Sequence, residues 1–308
     1  MPGVLKKSDI RSARPPAALL VASGAVSVQF GAALAIHLFR QVGPAGAVTL
    51  RLGSAAVVLA VLVVPRRWQG LRGRLSGRRQ DISVAVGFGL VLGAMNFSFY
   101  EAIDRIPLGV AVTVEFVGPL AVTIAGSRRR SDVLWALLAG AGVFLLSGEG
   151  LFGSGNHLDL AGVGLALLAG TCWAGYILLN AETGRRFAGT SGLAIAMVVG
   201  ALAVLPFGLA QAGSRLGRPD VLGTGLAVAV LSSVIPYSFE LFALRKVTPR
   251  AFGILASMDP AVAALAGLVV LGQHLSPVEV TALVLVVAAN AGSSFFDARP
   301  AAPTAPPP

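Results

Sequence analysis

The sequence has little charge. Only 12% of its 308 residues are Asp, Glu, Lys or Arg, whereas 55% are hydrophobic; an ordinary globular protein has about 25% charged residues. A soluble chain of 31.3 kDa has too small a core to bury so much apolar surface. The shortage of charge therefore excludes an ordinary soluble protein and favours a protein that lies in lipid.

Cysteine and histidine are also scarce. Cys172 is the single cysteine, which excludes an intramolecular disulfide, and the three histidines at positions 37, 157 and 274 are too scattered to indicate a metal site. No GxxxxGK[ST] phosphate loop occurs, and the GxGxxG that begins at Gly148 lies between two apolar runs instead of between a strand and a helix. We therefore expect no metal, no cofactor and no enzymatic chemistry.

Apolar windows of about 20 residues, the length of a bilayer-crossing helix, recur along the whole chain. They predict an all-α integral membrane protein with ten transmembrane helices, or with eight or nine if spans 3 and 4 or spans 9 and 10 are fused. The predicted limits are 16–38, 44–64, 82–103, 107–126, 132–147, 159–180, 190–211, 221–243, 250–271 and 275–296.

The basic residues predict the orientation, because positively charged loops stay on the cytoplasmic side. With the N-terminus inside, the cytoplasmic segments hold 19 Lys and Arg residues and the outer loops hold four. This split predicts that both termini are cytoplasmic in a multi-pass protein of the bacterial inner membrane. It also explains the net charge of +10 without nucleic acid as a partner, because the basic residues are divided among loops instead of sharing one face.

The two halves of the chain resemble each other. Placing Pro119 over Pro260 aligns Ala102 with Ala243 and Arg105 with Lys246. Because each half has five spans, equivalent helices must run in opposite directions, which is the inverted-repeat arrangement of secondary transporters. The predicted units are a basic cytoplasmic tail (1–15), a first five-helix repeat (16–147), an external linker (148–158), a second five-helix repeat (159–296) and a disordered Pro-rich cytoplasmic tail (297–308).

Four charged residues lie deep within predicted spans, where each costs about 2.5 to 3.5 kcal/mol on the insertion scale. They are Arg51, Glu115, Glu240 and Asp259. Each is a candidate site residue, although Glu240, toward the cytoplasmic end of span 8, can also snorkel to the interface or pair with Arg245.

Prolines accompany these carboxylates and are expected to break the helices at Pro119, Pro236 and Pro260. Because Glu115 and Asp259 are not strict repeat equivalents, the predicted site is asymmetric and suits a ligand with distinct ends. Arg51 can hold a carboxylate, while Glu115 or Asp259 holds an ammonium or exchanges a proton; Glu240 is a third candidate for proton coupling. The alternative is an Arg51 ion pair that only locks helices together.

Further polar and aromatic side chains in spans 1, 3 and 6 are candidates for substrate binding, and the aromatic pair shares one helical face. These residues are Gln29, Asn96, Trp173, Tyr176 and Asn180. Core packing is the alternative explanation for the two aromatic residues. Gly89 and Gly93 form a GxxxG, which indicates a close helix contact.

Four motifs carry a resemblance to a known family. They are RIPLGVAVTVEFVGPLAV from Arg105, CWAGYIL from Cys172, IPYSFE from Ile235 and RAFGILASMDPA from Arg250. Together they resemble the threonine/homoserine exporter branch of the EamA-type drug/metabolite transporter superfamily, over residues 18–296. The resemblance implies ten helices as two inverted five-helix repeats, an inner-membrane location, and export of small amino acids or related metabolites driven by proton exchange.

Two positions depart from that family pattern. The family commonly has Glu at the positions of Asp259 and Gln273. Asp keeps the charge but shortens the side chain by one methylene, whereas Gln273 removes a charge.

The sequence therefore predicts a secondary exporter of small amino acids, with a small-molecule substrate, protons and the lipid bilayer as partners, in a monomer or homodimer. The alternative on the same scaffold is a broad exporter of drugs or aromatic compounds, binding through Trp173, Tyr176, Phe97 and Phe116 and tolerating Arg51→Ala. An intramembrane enzyme needs a nucleophile with a base or a metal cluster, and neither motif is visible. The last alternative is a receptor that does not transport, which would show no solute flux in vesicles.

Overall fold

A computed structural model describes residues 17–74, 79–125, 159–187, 190–246 and 256–295, with isolated positions between 134 and 145 and at 252. Within these ranges the regular structure is all helix, with no strand. The predicted tails (1–15 and 297–308), the predicted linker (148–158) and most of the fifth predicted span (132–147) lie outside the described residues.

The first two predicted spans form one long element, α1 (Ala17–Arg74), which is interrupted at Gly43. Gly43 has φ 71° and ψ 170°, a conformation that glycine adopts without steric cost. Pro44 follows and restarts the helix. The first amides of the new segment, Ala45 and Gly46, donate to the Gln211 side-chain oxygen at 2.8 and 3.3 Å. A single residue thus makes the turn that the sequence predicts over residues 39–43.

The remaining helices of the first half are separated by short turns. They are α2 (Arg79–Ile103), α3 (Leu108–Glu115) and α4 (Val117–Ala125). A turn separates α2 from α3, so spans 3 and 4 are not fused.

The second half begins with α5 (Leu160–Arg186) and α6 (Ser191–Ala212). A 3₁₀ turn (Gly213–Gly217) leads to α7 (Pro219–Ala229), a π-helical turn (Val230–Val234) and α8 (Ile235–Leu244). A second 3₁₀ turn (Ala256–Met258) precedes α9 (Asp259–Leu271), and α10 (Pro277–Phe295) follows. Residues 272–276 are not helical, so spans 9 and 10 are also separate.

Two helices continue past their predicted ends. α1 reaches Arg74 and α5 reaches Arg186, whereas the predicted spans end at 64 and 180. Hydropathy marks only the apolar part of a helix, and Arg and Leu are good helix formers outside it. The helices therefore extend into basic segments that the sequence assigns to loops.

The described helices are long and apolar enough for a membrane protein. Five segments satisfy both criteria: Leu19–Leu62, Gln80–Ile103, Leu160–Arg186, Ser191–Gly217 and Pro219–Leu244. The first contains the break at Gly43 and so corresponds to two predicted spans. Leu108–Val122, Asp259–Leu271 and Pro277–Ala289 are shorter apolar helices.

Helix packing relies on close backbone contacts. α2 packs against α5 and α6, and α1 packs against α6, α7 and α8. A Cβ at Gly93 would lie 3.1 Å from the carbonyl oxygen of Gly200 on α6, and a Cβ at Gly200 would lie 3.0 Å from the carbonyl oxygen of Gly89. The close contact predicted from the GxxxG is confirmed.

Candidate functional site

The fourth predicted span is interrupted where Glu115 lies. α3 ends at Glu115 and α4 begins at Val117. Pro119 has no N–H to donate to the carbonyl of Glu115, four residues earlier. The backbone of Gly170 on α5 approaches this carbonyl so closely that a Cβ there would collide with it. The Glu115 side chain, 8% exposed, therefore stands at the end of a half-helix.

Asp259 lies at the start of another half-helix. The 3₁₀ turn Ala256–Met258 ends there, and Pro260 occupies the first turn of α9. Asp259 is 6% exposed, and its Oδ1 has no hydrogen-bond partner among the residues that the structure describes. The N-terminus of a helix favours negative charge, which stabilises a carboxylate at this place.

α3 and α9 run antiparallel against each other. Near the start of α3, a Cβ at Gly109 would lie 3.0 Å from the Cα of Ala264, in the middle of α9. At one end the Leu108 amide donates to Oε1 of Gln273 at 3.1 Å. At the other end Glu115 and Asp259 come within electrostatic range of each other. Gln273 thus caps the first turn of α3.

Arg51 is buried, with 2% of its surface exposed, and neutral groups of the second half bind it. Its Nε donates to Ser233 Oγ at 2.8 Å, and its Nη2 donates to the Ser232 carbonyl and, at 3.0 Å, to the Tyr237 hydroxyl. Its guanidinium carbon lies 5.3 Å from the ring centroid of Tyr100 and 5.6 Å from that of Tyr237. Within the described ranges Arg51 forms no salt bridge with a carboxylate, so the predicted alternative of a locking ion pair does not occur there.

Sequence reasoning missed the serines and tyrosines around Arg51. Ser232 and Ser233 lie in the π-helical turn Val230–Val234, shortly before Pro236. A search for uncharged polar residues near mid-span prolines would have found them. π-Helical turns are frequent at functional sites. Tyr237 directly follows Pro236 and would have been found in the same way, whereas Tyr100 carries no such sequence signal.

The polar contacts continue from Tyr237 to Asn96. The Tyr237 hydroxyl donates to Oδ1 of Asn96 at 3.0 Å, and Nδ2 of Asn96 donates to the Leu92 carbonyl at 2.8 Å. The ring of Tyr237 also lies 5.5 Å from that of Tyr176. Asn96 and Tyr176, two predicted site residues, therefore both contact the side chain that binds Arg51.

Glu240 belongs to a second hydrogen-bonded group. Tyr176 donates its hydroxyl to Oε2 of Glu240 at 2.7 Å, and Nδ2 of Asn180 donates to the Tyr176 hydroxyl at 3.0 Å. Arg245 donates to the carbonyls of Gly184 and Phe187 at the end of α5. Glu240 is thus bound by Tyr176 of α5, which Asn180 contacts in turn.

The aromatic candidates pack on neighbouring rings. Trp173 contacts Phe116 edge to face at 5.3 Å, and Tyr176 lies 5.4 Å from Phe88. Trp173 is 8% exposed and Tyr176 is fully buried. Gln29 is buried on α1, and its Oε1 has no hydrogen-bond partner among the described residues.

The structure brings one guanidinium and three carboxyl groups together. Electrostatic interactions link Glu115 with both Arg51 and Asp259, and link Glu240 with both Arg51 and Asp259. If all four groups are ionised, the cluster carries a net charge of −2. Buried charge is stable only when it is compensated, so this cluster favours an added cation, whether an ammonium group or a proton. The described part of the chain contains no group of His, Cys, Asp and Glu that could hold a metal ion.

Comparisons with known proteins identify the family of this chain. The sequence profile of the EamA-like transporter family matches residues 160–295. The threonine/homoserine exporter RhtA of Escherichia coli (strain K12) is 42% identical over 295 residues, which cover 96% of this chain and 95% of that protein. The chain belongs to the EamA-like transporter family. RhtA of Salmonella typhimurium (strain SL1344) is 40% identical with the same coverage, which places the chain in the RhtA branch.

A more distant relative and a solved structure extend the comparison. The uncharacterized inner membrane transporter YedA of Escherichia coli (strain K12) is 28% identical over 70% of this chain and 71% of its own. A solved structure, described only as a crystal structure of a protein, superposes with a TM-score of 0.61 at 19% identity, over 91% of this chain and 99% of that one. At this identity the superposition shows a shared fold. The transporter relatives and the long apolar helices together show a multi-pass inner-membrane protein.

Proposed function

We propose that this protein exports small amino acids such as threonine and homoserine across the bacterial inner membrane, in exchange for protons. The observation that carries the proposal is the convergence of Arg51, Glu115 and Asp259, buried and free of mutual salt bridges among the described residues. Such a cluster matches both ends of an amino acid. The RhtA proteins, which are named threonine/homoserine exporters, support the choice of substrate.

Each end of the substrate has its own partner in this proposal. Nε and Nη2 of Arg51 are used within the protein, so Nη1 is the part of the guanidinium that binds the substrate carboxylate. Glu115, at the end of α3, binds the ammonium group first, and Asp259, at the start of α9, is the second carboxylate. A purely cationic solute satisfies only the carboxylates, and an uncharged solute satisfies neither partner.

Transport occurs by alternating access between two inverted five-helix repeats. The antiparallel packing of α3 against α9 supports this proposal, because these helices belong to the spans that the offset between Pro119 and Pro260 makes equivalent. The EamA-like match over residues 160–295 supports a second repeat of nearly the predicted extent, 159–296. Both half-helices have an end at the site, where the backbone can bind a polar ligand.

A proton competes with the substrate for the same carboxylates. Two neighbouring buried carboxylates repel each other, and either a proton or an ammonium group relieves the repulsion. Protonation of Glu115 from outside therefore weakens its contact with the ammonium and releases the substrate.

Efflux measured against external pH tests the exchange. We expect acidification outside to accelerate threonine efflux from proteoliposomes containing the native protein, and Glu115→Gln to lose most of this acceleration because its side chain cannot take up a proton. Glu101→Gln is the matched control, since Glu101 pairs with Arg105 at 2.9 Å near the end of α2 and should keep the native response. An unchanged pH dependence in Glu115→Gln would remove Glu115 from the coupling role.

Counterflow with a panel of amino acids and aromatic drugs tests the substrate class. In this assay, proteoliposomes are loaded with one unlabelled solute and take up labelled threonine. We expect loaded threonine and homoserine to drive uptake. The broad drug exporter remains the alternative, and it predicts that aromatic cations drive uptake equally and that Arg51→Ala keeps activity. Its candidate rings already contact other rings, Phe116 with Trp173 and Phe97 with Phe207 at 5.0 Å.

A further inference from the structure

Three hydrogen bonds of Arg51 go to one short stretch of the second half. Ser232 and Ser233 lie in the π-helical turn Val230–Val234, and Tyr237 lies one turn later. Arg51 itself belongs to α1, after the break at Gly43. A flexible arginine on one half of the molecule is therefore bound at three points by the other half.

The carbonyl that accepts from Arg51 is available because of Pro236. In a regular helix the Ser232 carbonyl would accept from the amide of residue 236, four positions later, but proline has no N–H. The amide of Ile235 bonds instead to the carbonyl of Val230, five positions earlier. The Ser232 carbonyl is thus left for the guanidinium. Pro236 and the π turn together provide the carbonyl of Ser232 as an acceptor for Nη2 of Arg51.

The partners of Arg51 are neutral, so they can orient its guanidinium without cancelling its charge. A carboxylate would neutralise the guanidinium and remove its attraction for a substrate anion. The Ser233 hydroxyl, the Ser232 carbonyl and the Tyr237 hydroxyl fix the orientation of the guanidinium and leave its positive charge in place. A guanidinium that is held in place and has no directly bonded carboxylate binds a substrate carboxylate at low ordering cost.

We propose that Ser233 and Tyr237 are positioning residues that orient Arg51 and thereby make the transporter select solutes that carry a carboxylate. This inference rests on the proposed function, because it assumes that Arg51 binds the substrate. It adds that selectivity is set by hydroxyl groups that do not touch the substrate.

Competition kinetics in proteoliposomes test this proposal. Uptake of labelled L-threonine is measured with unlabelled L-threonine or L-threoninamide, which lacks the carboxylate, as the competitor. For Ser233→Ala and Tyr237→Phe we expect KM to rise about tenfold, equivalent to about 1.4 kcal/mol, with a maximal rate near the native value. The preference for threonine over its amide should fall by a similar factor. Ser233→Thr keeps the hydroxyl and should restore both values.

Ser27→Ala is the matched control. Ser27 donates its hydroxyl to the Leu231 carbonyl of the same π turn at 2.6 Å but forms no hydrogen bond with Arg51. It tests whether any loss of a hydroxyl at this turn has the same effect. We expect its KM and its preference for threonine to remain native.

Three results overturn parts of the account separately. If Ser233→Ala and Tyr237→Phe lower only the maximal rate, or if Ser27→Ala changes KM as they do, the hydroxyls are merely structural and the inference is wrong. If Arg51→Gln loses affinity for threonine while Ser233→Ala and Tyr237→Phe keep it, the inference is again wrong and the proposed function stands. If Arg51→Gln keeps native affinity and selectivity, the proposed role of Arg51 is itself wrong. Ser233→Ala and Tyr237→Phe are purified and assayed separately. If one of them fails to fold, the other still tests the inference.

Discussion

At the residue scale, Asp259 shows how a functional group opposes stability. Its Oδ1 is buried without a hydrogen-bond partner among the described residues, and a buried polar atom in that state costs about 1 to 3 kcal/mol. Two further carboxyl groups, Glu115 and Glu240, interact with it. A neutral residue at this position would give a more stable protein, so the carboxyl of Asp259 indicates a functional role.

Replacing Asp259 with Asn should therefore raise stability and lower transport together. The change removes the repulsion among buried carboxyl groups, and we expect the free energy of unfolding in detergent to rise by about 1 kcal/mol. The same change removes a partner of the substrate ammonium, so threonine efflux should fall at least about tenfold. Thermal unfolding of the purified protein and efflux from proteoliposomes measure the two effects.

Asp220→Asn is the control for this substitution. Asp220 also lies in the first turn of a helix beside a proline, but it is exposed and pairs with Arg218 at 2.8 Å. Neither stability nor efflux should change appreciably there. Reduced stability in Asp259→Asn, or native efflux, would contradict the role assigned to Asp259.

The sequence predicted the charged members of the site but not their neutral partners. Arg51, Glu115 and Asp259 stand out because a charge within an apolar window is costly wherever it points. Ser233 and Tyr237 do not stand out, because a hydroxyl in a membrane helix can bond to its own backbone. Their importance follows from a neighbour that is distant in sequence.

At the element scale, three prolines interrupt helices at the site. The sequence predicted breaks at Pro119, Pro236 and Pro260, because a missing N–H has the same consequence in any helix. It did not predict the form of each break. The chain makes a turn at Phe116, a π turn before Pro236 and a 3₁₀ turn before Pro260, since local packing decides the form of each interruption.

Gly170→Ala should separate α5 from the break between α3 and α4. A Cβ at position 170 would lie 3.1 Å from the Cα of Glu115 and closer still to its carbonyl oxygen. Backbone atoms cannot move aside as a flexible side chain can, so we expect a loss of about 1 to 3 kcal/mol in stability. Displacement of Glu115 should also lower threonine efflux.

The same substitution at Gly164 is the matched control on α5. A Cβ there would meet no atom within 4 Å, and alanine favours a helix over glycine by about 1 kcal/mol. Gly164→Ala should therefore leave stability and efflux unchanged or slightly raise stability. Equal losses in both variants would show that the close contact at Gly170 is unimportant.

At the scale of the whole molecule, hydropathy and charge predicted the helical class and most helix positions. They could not predict that α1 continues through its turn with only Gly43 out of helical geometry, because one glycine with positive φ leaves no mark on hydropathy. They also could not predict which helices pack together. The pairing of α3 with α9 follows from contacts between residues about 150 positions apart in sequence.

Thiol labelling tests the proposed orientation. In a Cys172→Ser background, Ser214→Cys and Gln80→Cys each place one cysteine at an exposed position. With both termini cytoplasmic, residue 214 faces outward and residue 80 faces the cytoplasm. A membrane-impermeant maleimide should therefore label residue 214 in intact cells and residue 80 only after permeabilisation. The reverse pattern would invert the topology.

The central claim is that buried groups from both halves bind the two charged ends of one amino acid. It is tested most directly by competition against labelled L-threonine in proteoliposomes with three solutes: L-threonine, its methyl ester and N-acetyl-L-threonine. The ester lacks the carboxylate that Arg51 binds, and the acetyl derivative lacks the ammonium that Glu115 and Asp259 bind. We predict that each derivative competes at least about tenfold more weakly than threonine. Equal competition by either derivative would contradict the claim.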